Sequence, residues 1–373
     1  MSVPPPPNQW GSQPPTGGQP VGAQPWGPSP GGQPRGPSPG PPPRGGKGKW
    51  IFAGIAVLAV IALTVVITVL VVGKDSGDSP SPTTTSTAGP SDIASANDKG
   101  PAAIITEDPT CEPTRPILDT RASVEHNGWD TRDPSIPAAA WTPAMRSQYQ
   151  AVAQAMRASA DQMVPLVKVT PHRVMRELYE QLIVYSRAYA DNIPTYTPQD
   201  DRLAVVSTTV SNAIGYICAA ISYGSAAARG PLVQPLAAPS QVAPVGDPAD
   251  PKRFITEPNS VCADWLAAST KFSNDTADWL PTDPDIPVSQ WSPEQRAIND
   301  AVAPVMSAFA DELQRLGERG GNPTLQDFAE LSAQYRRAYV QSLPTYTPSD
   351  KYLANSALVL GGVVEAACAS VGK

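Results

Sequence analysis

Polar and apolar residues alternate at helical spacing through most of the second half of the chain, with no comparable strand-like alternation. Leu178, Leu182, Tyr185 and Tyr189 recur in steps of four, three and four, and Leu203, Val206, Val210, Ile214, Ile217 and Ile221 do the same further on. Such stripes predict amphipathic helices with one buried face. A second set follows the same rule: Phe328, Leu331, Tyr335 and Tyr339, then Leu353, Leu360 and Val364. Helix starts are marked by a hydroxyl residue before proline at Thr142-Pro143, Thr197-Pro198, Ser292-Pro293 and Thr347-Pro348. The hydroxyl caps the free amides, and proline suits the first helical position. Ser292 with Gln295 and Thr347 with Asp350 have the spacing of capping boxes. The pattern predicts three principal helices in each set, near 143–164, 171–192 and 198–226, then 293–317, 324–342 and 348–370. A short helix around Cys262 adds to the second set.

The two sets are copies of one unit. Trp129, Asp133-Pro134, Ile136-Pro137, Trp141 and Arg146 return as Trp279, Asp283-Pro284, Ile286-Pro287, Trp291 and Arg296, each at an offset of 150. Tyr185-Ser-Arg187-Ala-Tyr189 through Pro-Thr-Tyr196-Thr-Pro-Gln-Asp200 returns as Tyr335-Arg-Arg337-Ala-Tyr339 through Pro-Thr-Tyr346-Thr-Pro-Ser-Asp350 at the same offset. A repeat this regular means one supersecondary unit used twice. The expected units are residues 104–228 and 254–373, each a small antiparallel helical bundle, joined by an Ala/Pro linker at 229–253.

A different pattern occupies Trp50–Val72, 23 residues without a charge. As a helix it would be about 34 Å long, enough to cross a hydrocarbon core of roughly 30 Å. It is longer than the core of a cleaved signal peptide and lies behind a 49-residue lead, so it is expected to be a signal-anchor, a single-pass transmembrane helix at 50–73. Residues 1–49 precede it, with 16 prolines in the first 43 positions and echoes of GGQP and GPSPG. That composition cannot bury a core and predicts a disordered, proline-rich tail. Residues 74–103, rich in Ser, Thr, Pro and Asp, read as a flexible tether.

Charge then sets the topology. The chain carries −7 overall, but residues 1–74 hold five basic residues and no acid. Four of the five precede the apolar run, which predicts a cytoplasmic N-terminus and an extracytoplasmic C-terminal portion at the plasma membrane. The acidic C-terminal portion has no basic stripe, so nucleic acid is not an expected partner. Export in turn makes the four cysteines interpretable. Cys218 and Cys368 are matched at offset 150, and Cys111 and Cys262 at 151. Only Cys111–Cys218 with Cys262–Cys368 gives both copies the same internal disulfide bond.

Candidate chemistry is sparse. Neither histidine is matched between copies, no phosphate-binding glycine loop or zinc-protease motif is present, and no metal or other cofactor is expected. The matched acids Asp133/Asp283 and Asp200/Asp350 have turn and cap positions, and the chain is not expected to be an enzyme. The candidate binding residues are the matched block Tyr185, Arg187, Tyr189, Tyr196 and Asp200 with Tyr335, Arg337, Tyr339, Tyr346 and Asp350. Two readings stay open. They line an aromatic, arginine-bearing groove for an envelope glycan, lipid or protein partner, or the tyrosines pack a helix corner while Arg187 pairs with Asp200.

A Pro/Gly/Gln/Trp-rich tail, one anchor, a Ser/Thr/Pro tether and a cysteine-bearing, Ala-rich ectodomain together resemble single-pass envelope proteins of actinobacteria, mycobacteria in particular. The resemblance lies in the layout and the first 100 residues and carries no functional residues across. It implies a cell-envelope setting. The function expected is a membrane-anchored, non-enzymatic binding or scaffold protein outside the cytoplasm. The alternative is a transmembrane sensor or assembly factor whose proline-rich tail recruits a cytoplasmic partner.

Overall fold

The computed structural model describes residues 92–371. The expected tail at 1–49, the anchor at 50–73 and most of the tether lie outside the described residues. Those described are mostly helical, with no strand among them. The first copy holds α1 (Cys111–Glu125), α2 (Pro143–Val169), α3 (Arg173–Asn192) and α4 (Asp201–Ser222), followed by the short α5 (Ser225–Arg229). The second holds α6 (Cys262–Asp275), α7 (Pro293–Arg319), α8 (Pro323–Ser342) and α9 (Lys351–Val371).

Each copy therefore has four helices. The helix around Cys262 has a full counterpart in α1, which the apolar period does not announce because α1 buries Thr114, Arg121 and Glu125. Two helices start where the capping chemistry places them, while the one expected from Pro198 begins at Asp201 after a turn. Thr142 Oγ1 accepts from the Met145 amide at 3.2 Å, and Ser292 Oγ from the Gln295 amide at 3.1 Å. Thr347 and Asp350 complete a capping box around a single 3-10 turn, so α9 begins three residues later than the pattern suggests. The first copy's last helix ends at Ser222 because Gly224 turns the chain at φ 78°, a left-handed conformation that glycine adopts without a Cβ penalty.

Within each copy the long helices pack in sequence, α2 on α3 on α4 and α7 on α8 on α9, with α1 laid on α2 and α6 on α7. Between copies, α4 packs along α9 and α3 crosses α8. The last helix of each copy thus has two apolar faces to cover, one against its own bundle and one against its twin. That explains why α4, and α9 with the turn before it, are long and apolar enough to cross a membrane by length and composition, although half of each is buried in the protein. Taken alone they are a weak pointer to membrane association, since central bundle helices share those properties.

Disulfides join Cys111 to Cys218 and Cys262 to Cys368, with Cα atoms 5.3 and 5.6 Å apart. Each staples the first helix of a copy to its last. The lead-in segments cross over: Tyr335 Oη of the second copy donates to the Ile105 carbonyl at 3.4 Å. Gln181 of the first copy holds the Lys252 carbonyl and the Phe254 amide, at 3.0 and 3.1 Å. Residues 229–253 are fastened at both ends, because Arg229 forks onto Asp350 at 2.9 and 2.8 Å and Arg187 donates to the Ala249 carbonyl at 2.6 Å.

Candidate functional site

The matched tyrosines are interior residues. Tyr185, Tyr189, Tyr196, Tyr335, Tyr339 and Tyr346 are all buried, none more than 4% exposed. Burial raises the Tyr185 phenol to about 12, and pushes Tyr189, Tyr196, Tyr335, Tyr339 and Tyr346 up further. In the first copy, Trp129 meets Tyr189 edge-on at 5.9 Å, Tyr189 meets Tyr196 at 6.2 Å, and Trp141 leans on Tyr196 at 5.2 Å. In the second, Trp279, Tyr339, Tyr346 and Trp291 repeat the chain of contacts at 5.8, 6.0 and 5.5 Å. Tyr196 and Tyr346 donate to the carbonyls of Pro134 and Pro284 at 2.8 and 2.7 Å, pinning the proline-rich arm to the helix corner.

Arg187 and Arg337 are the solvent-reaching arginines of the block. Arg187 pairs with Asp161 at 2.7 Å and Arg337 with Asp311 at 2.8 Å, a matched pair of ion pairs. The expected Arg187–Asp200 pair does not form. Asp200 instead caps its own turn, accepting from the Thr197 amide at 2.7 Å and from Asn192 Nδ2 at 2.6 Å. Asp350 is buried under Arg229. The sequence block is thus a packing corner whose two arginines face outward to α2 and α7.

A more distinctive feature comes from where the copies differ. In the first copy Tyr149 stacks on Trp141 at 4.0 Å, and the Arg132 guanidinium lies 3.4 Å over the Trp129 ring while pairing with Asp201. Gln148 closes the outside by donating to the Asn127 carbonyl at 3.1 Å. In the second copy these positions carry Asn299, Thr282, Lys351 and Ile298. Asn299 accepts from Trp279 Nε1 at 3.2 Å and is too small to cover the ring. Trp129 and Trp141 are buried, whereas Trp279 and Trp291 are only half-buried. The result is a cleft of about 270 Å³ beside Trp279, walled by Ile298, Ala301 and Val302 and rimmed by Asp275 and Asp278.

The acids around this cleft have also changed role. In the first copy Glu125 turns inward to Arg121 Nε at 2.7 Å. In the second copy Phe272 and Thr276 take the buried places of Arg121 and Glu125, and the Lys271–Asp275 pair sits at the surface. The buried cation is supplied instead by Arg336, whose guanidinium lies 4.5 and 4.8 Å from the Phe272 and Phe309 ring centres. Arg121 and Arg336 are thus interior guanidiniums supplied from different helices.

An ionic core joins the copies where α3 crosses α8. Arg173 forks onto Asp327 through Nε and Nη2, both at 2.7 Å, and its Nη1 donates to the carbonyls of Asp98 and Gly100 at 2.9 and 3.0 Å. The symmetric mate would join position 323 to Glu177, but position 323 is proline. Glu177 therefore depends on Arg176 at 3.5 Å. Burial and the Asp327 charge hold it well above the carboxylate range. Burial also raises Glu180 to about 7 against the pull of Arg176, and raises Glu330. Sequence reading missed this group, although Glu177/Asp327 and Glu180/Glu330 are acids matched between the copies. No His, Cys, Asp and Glu cluster among the described residues is arranged to hold a metal ion.

Fold and site together define a class: a duplicated, disulfide-stapled helical body locked by a buried ionic core, with one aromatic cluster closed and its twin open. The chain matches the mycobacterial ESX-1 associated protein family over residues 93–372, the whole duplicated region, and belongs to that family. An uncharacterised protein of Mycolicibacterium smegmatis (strain MKD8) is 53% identical over 325 residues, covering 87% of this chain and 86% of that protein. No solved structure matches the chain. The mycobacterial character expected from the layout agrees with these relatives.

Proposed function

We propose that this protein is a membrane-anchored, extracytoplasmic binding or scaffold protein that serves ESX-1 in the mycobacterial envelope, without enzymatic activity of its own. The family relationship points to a secretion-related role. The observation that carries the scaffold reading is the construction of the body. A disulfide staples each copy internally, and reciprocal lead-in segments and a buried Arg173–Asp327 pair hold the two copies in one fixed arrangement. A preorganised surface loses little freedom on binding, which is what a scaffold requires. Two disulfides agree with a compartment outside the reducing cytosol, and the uncharged run at Trp50–Val72 supplies the anchor.

The test is genetic and functional. A mycobacterial strain lacking the chain should lose or reduce ESX-1-dependent secretion, and a chain lacking residues 1–43 should restore it. Unchanged secretion in the deletion strain would overturn the ESX-1 role. Failure of the tail-less chain to complement would overturn the extracytoplasmic reading in favour of a tail that recruits a cytoplasmic partner.

A further inference from the structure

The open aromatic cluster has a built-in comparison, because the first copy shows what fills the same space when the chain fills it itself. There, a long polar side chain (Gln148) lies across the outside, a guanidinium (Arg132) covers the tryptophan ring, and the nearby acid (Glu125) is neutralised internally. The second copy lacks all three and sets Asp275 and Asp278 at the rim. Trp279 keeps an exposed face, the wall beside it is aliphatic, and two carboxylates stand at the rim. Asp275 also ends α6, where the last carbonyls add partial negative charge.

We propose that this cleft is an anchor site for one cationic side chain, an arginine or lysine, presented by a partner protein. The inference rests on the scaffold reading and assigns it a ligand chemistry. The aliphatic stem packs against Ile298, Ala301 and Val302, the head lies over the Trp279 ring, and Asp275 and Asp278 accept from it. Lys271 does not close the site: its pair with Asp275 is solvent-exposed on both sides, the kind of ion pair that contributes little and exchanges readily. Size supports a single side chain, since about 270 Å³ is below the ~300–1,000 Å³ of small-molecule pockets. Cation–π attraction is strongest for tryptophan.

The test uses the full chain in detergent micelles with its eight tryptophans replaced by 5-fluorotryptophan. The Trp279 fluorine resonance is assigned with Trp279→Phe. N-acetyl-arginine amide should shift it saturably, and the neutral isostere N-acetyl-citrulline amide should bind at least about fivefold more weakly. Asp275→Asn with Asp278→Asn should bring the arginine probe down to the citrulline level. Ile298→Gln, which restores the residue of the closed copy, should abolish the shift, and the Trp129 resonance should not move in any titration. An unmoved Trp279 resonance, or equal shifts with both probes, would overturn the cation site. If that happens while the chain still supports ESX-1-dependent secretion, the scaffold reading stands without it. If the probe binds but secretion does not depend on the chain, the site stands and the scaffold reading falls.

Discussion

Replacing Arg173 by methionine isolates the ionic core that holds the two copies together. The side chain is 2% exposed and its partner Asp327 1%, and the two share a bidentate pair with both bonds at 2.7 Å. The substitution keeps most of the stem volume but leaves a buried carboxylate without its cation, and removes the donors to the Asp98 and Gly100 carbonyls. Breaking a buried pair from one side costs about 3–5 kcal/mol. At about 2–4 °C per kcal/mol for a domain of this size, Tm should fall by about 6–20 °C at pH 7.5. Arg187→Met is the control. Its pair with Asp161 is exposed, so it should cost no more than about 1 kcal/mol. Adding Asp327→Leu should recover most of the loss. Calorimetry of the full chain and the three variants reads all of this. An Arg173→Met Tm within about 2 °C of the unsubstituted chain would refute the idea that this pair locks the copies.

Three further outcomes follow from the same contacts. Glu180 is raised to about 7 by burial, so the folded protein binds a proton that the unfolded chain releases near 4.5. Stability should therefore decline as pH rises from about 4.5 to 7, by a ceiling of about 3 kcal/mol from this group, and Glu180→Gln should flatten the profile in thermal melts. Peptide mapping without reductant should recover 111–218 and 262–368 linked peptides, and Cys262→Ser should cost about 2–5 kcal/mol in denaturant unfolding. A 111–262 peptide would contradict the fold. Tyr346→Ala should destabilise by about 3–5 kcal/mol, whereas Tyr346→Phe should cost about 1–3 kcal/mol by leaving the Pro284 carbonyl unpaired. An alanine variant with unchanged stability would mean that Tyr346 is not core.

Much of this architecture is legible without coordinates because the copies calibrate each other. The Thr142-Pro143 and Ser292-Pro293 helix starts and the symmetric cysteine pairing reappear in the fold, whereas after Thr197-Pro198 and Thr347-Pro348 the α-helix begins three residues further on. What stays hidden concerns partners. An apolar stripe says that a face is buried, not against what, so the α4–α9 contact and the crossed lead-in segments cannot be read from periodicity. Tyr185 and Tyr189 share the stripe of Leu178 and are interior, but their hydroxyls make them look like ligand contacts. Buried ions mislead in the opposite direction: Arg121, Arg173 and Asp327 pass for surface residues until their partners, 65 to 154 positions away, are in place. The open cleft was hidden for another reason. Matching the copies draws attention to what they share, and the cleft exists only where Tyr149, Gln148 and Arg132 have become Asn299, Ile298 and Thr282.

The central claim is that the duplicated body, on the outer side of the membrane, is what meets the ESX-1 machinery. Residue-resolved photocrosslinking in intact mycobacterial cells tests it most directly, with the crosslinker placed in turn at Ala297 beside the open cleft, at Gln162 on α2, and at Gln13 in the tail. The account predicts crosslinks to an ESX-1 component from Ala297, fewer from Gln162 and none from Gln13. Crosslinks to such a component from Gln13 alone, with none from the folded body, would contradict it.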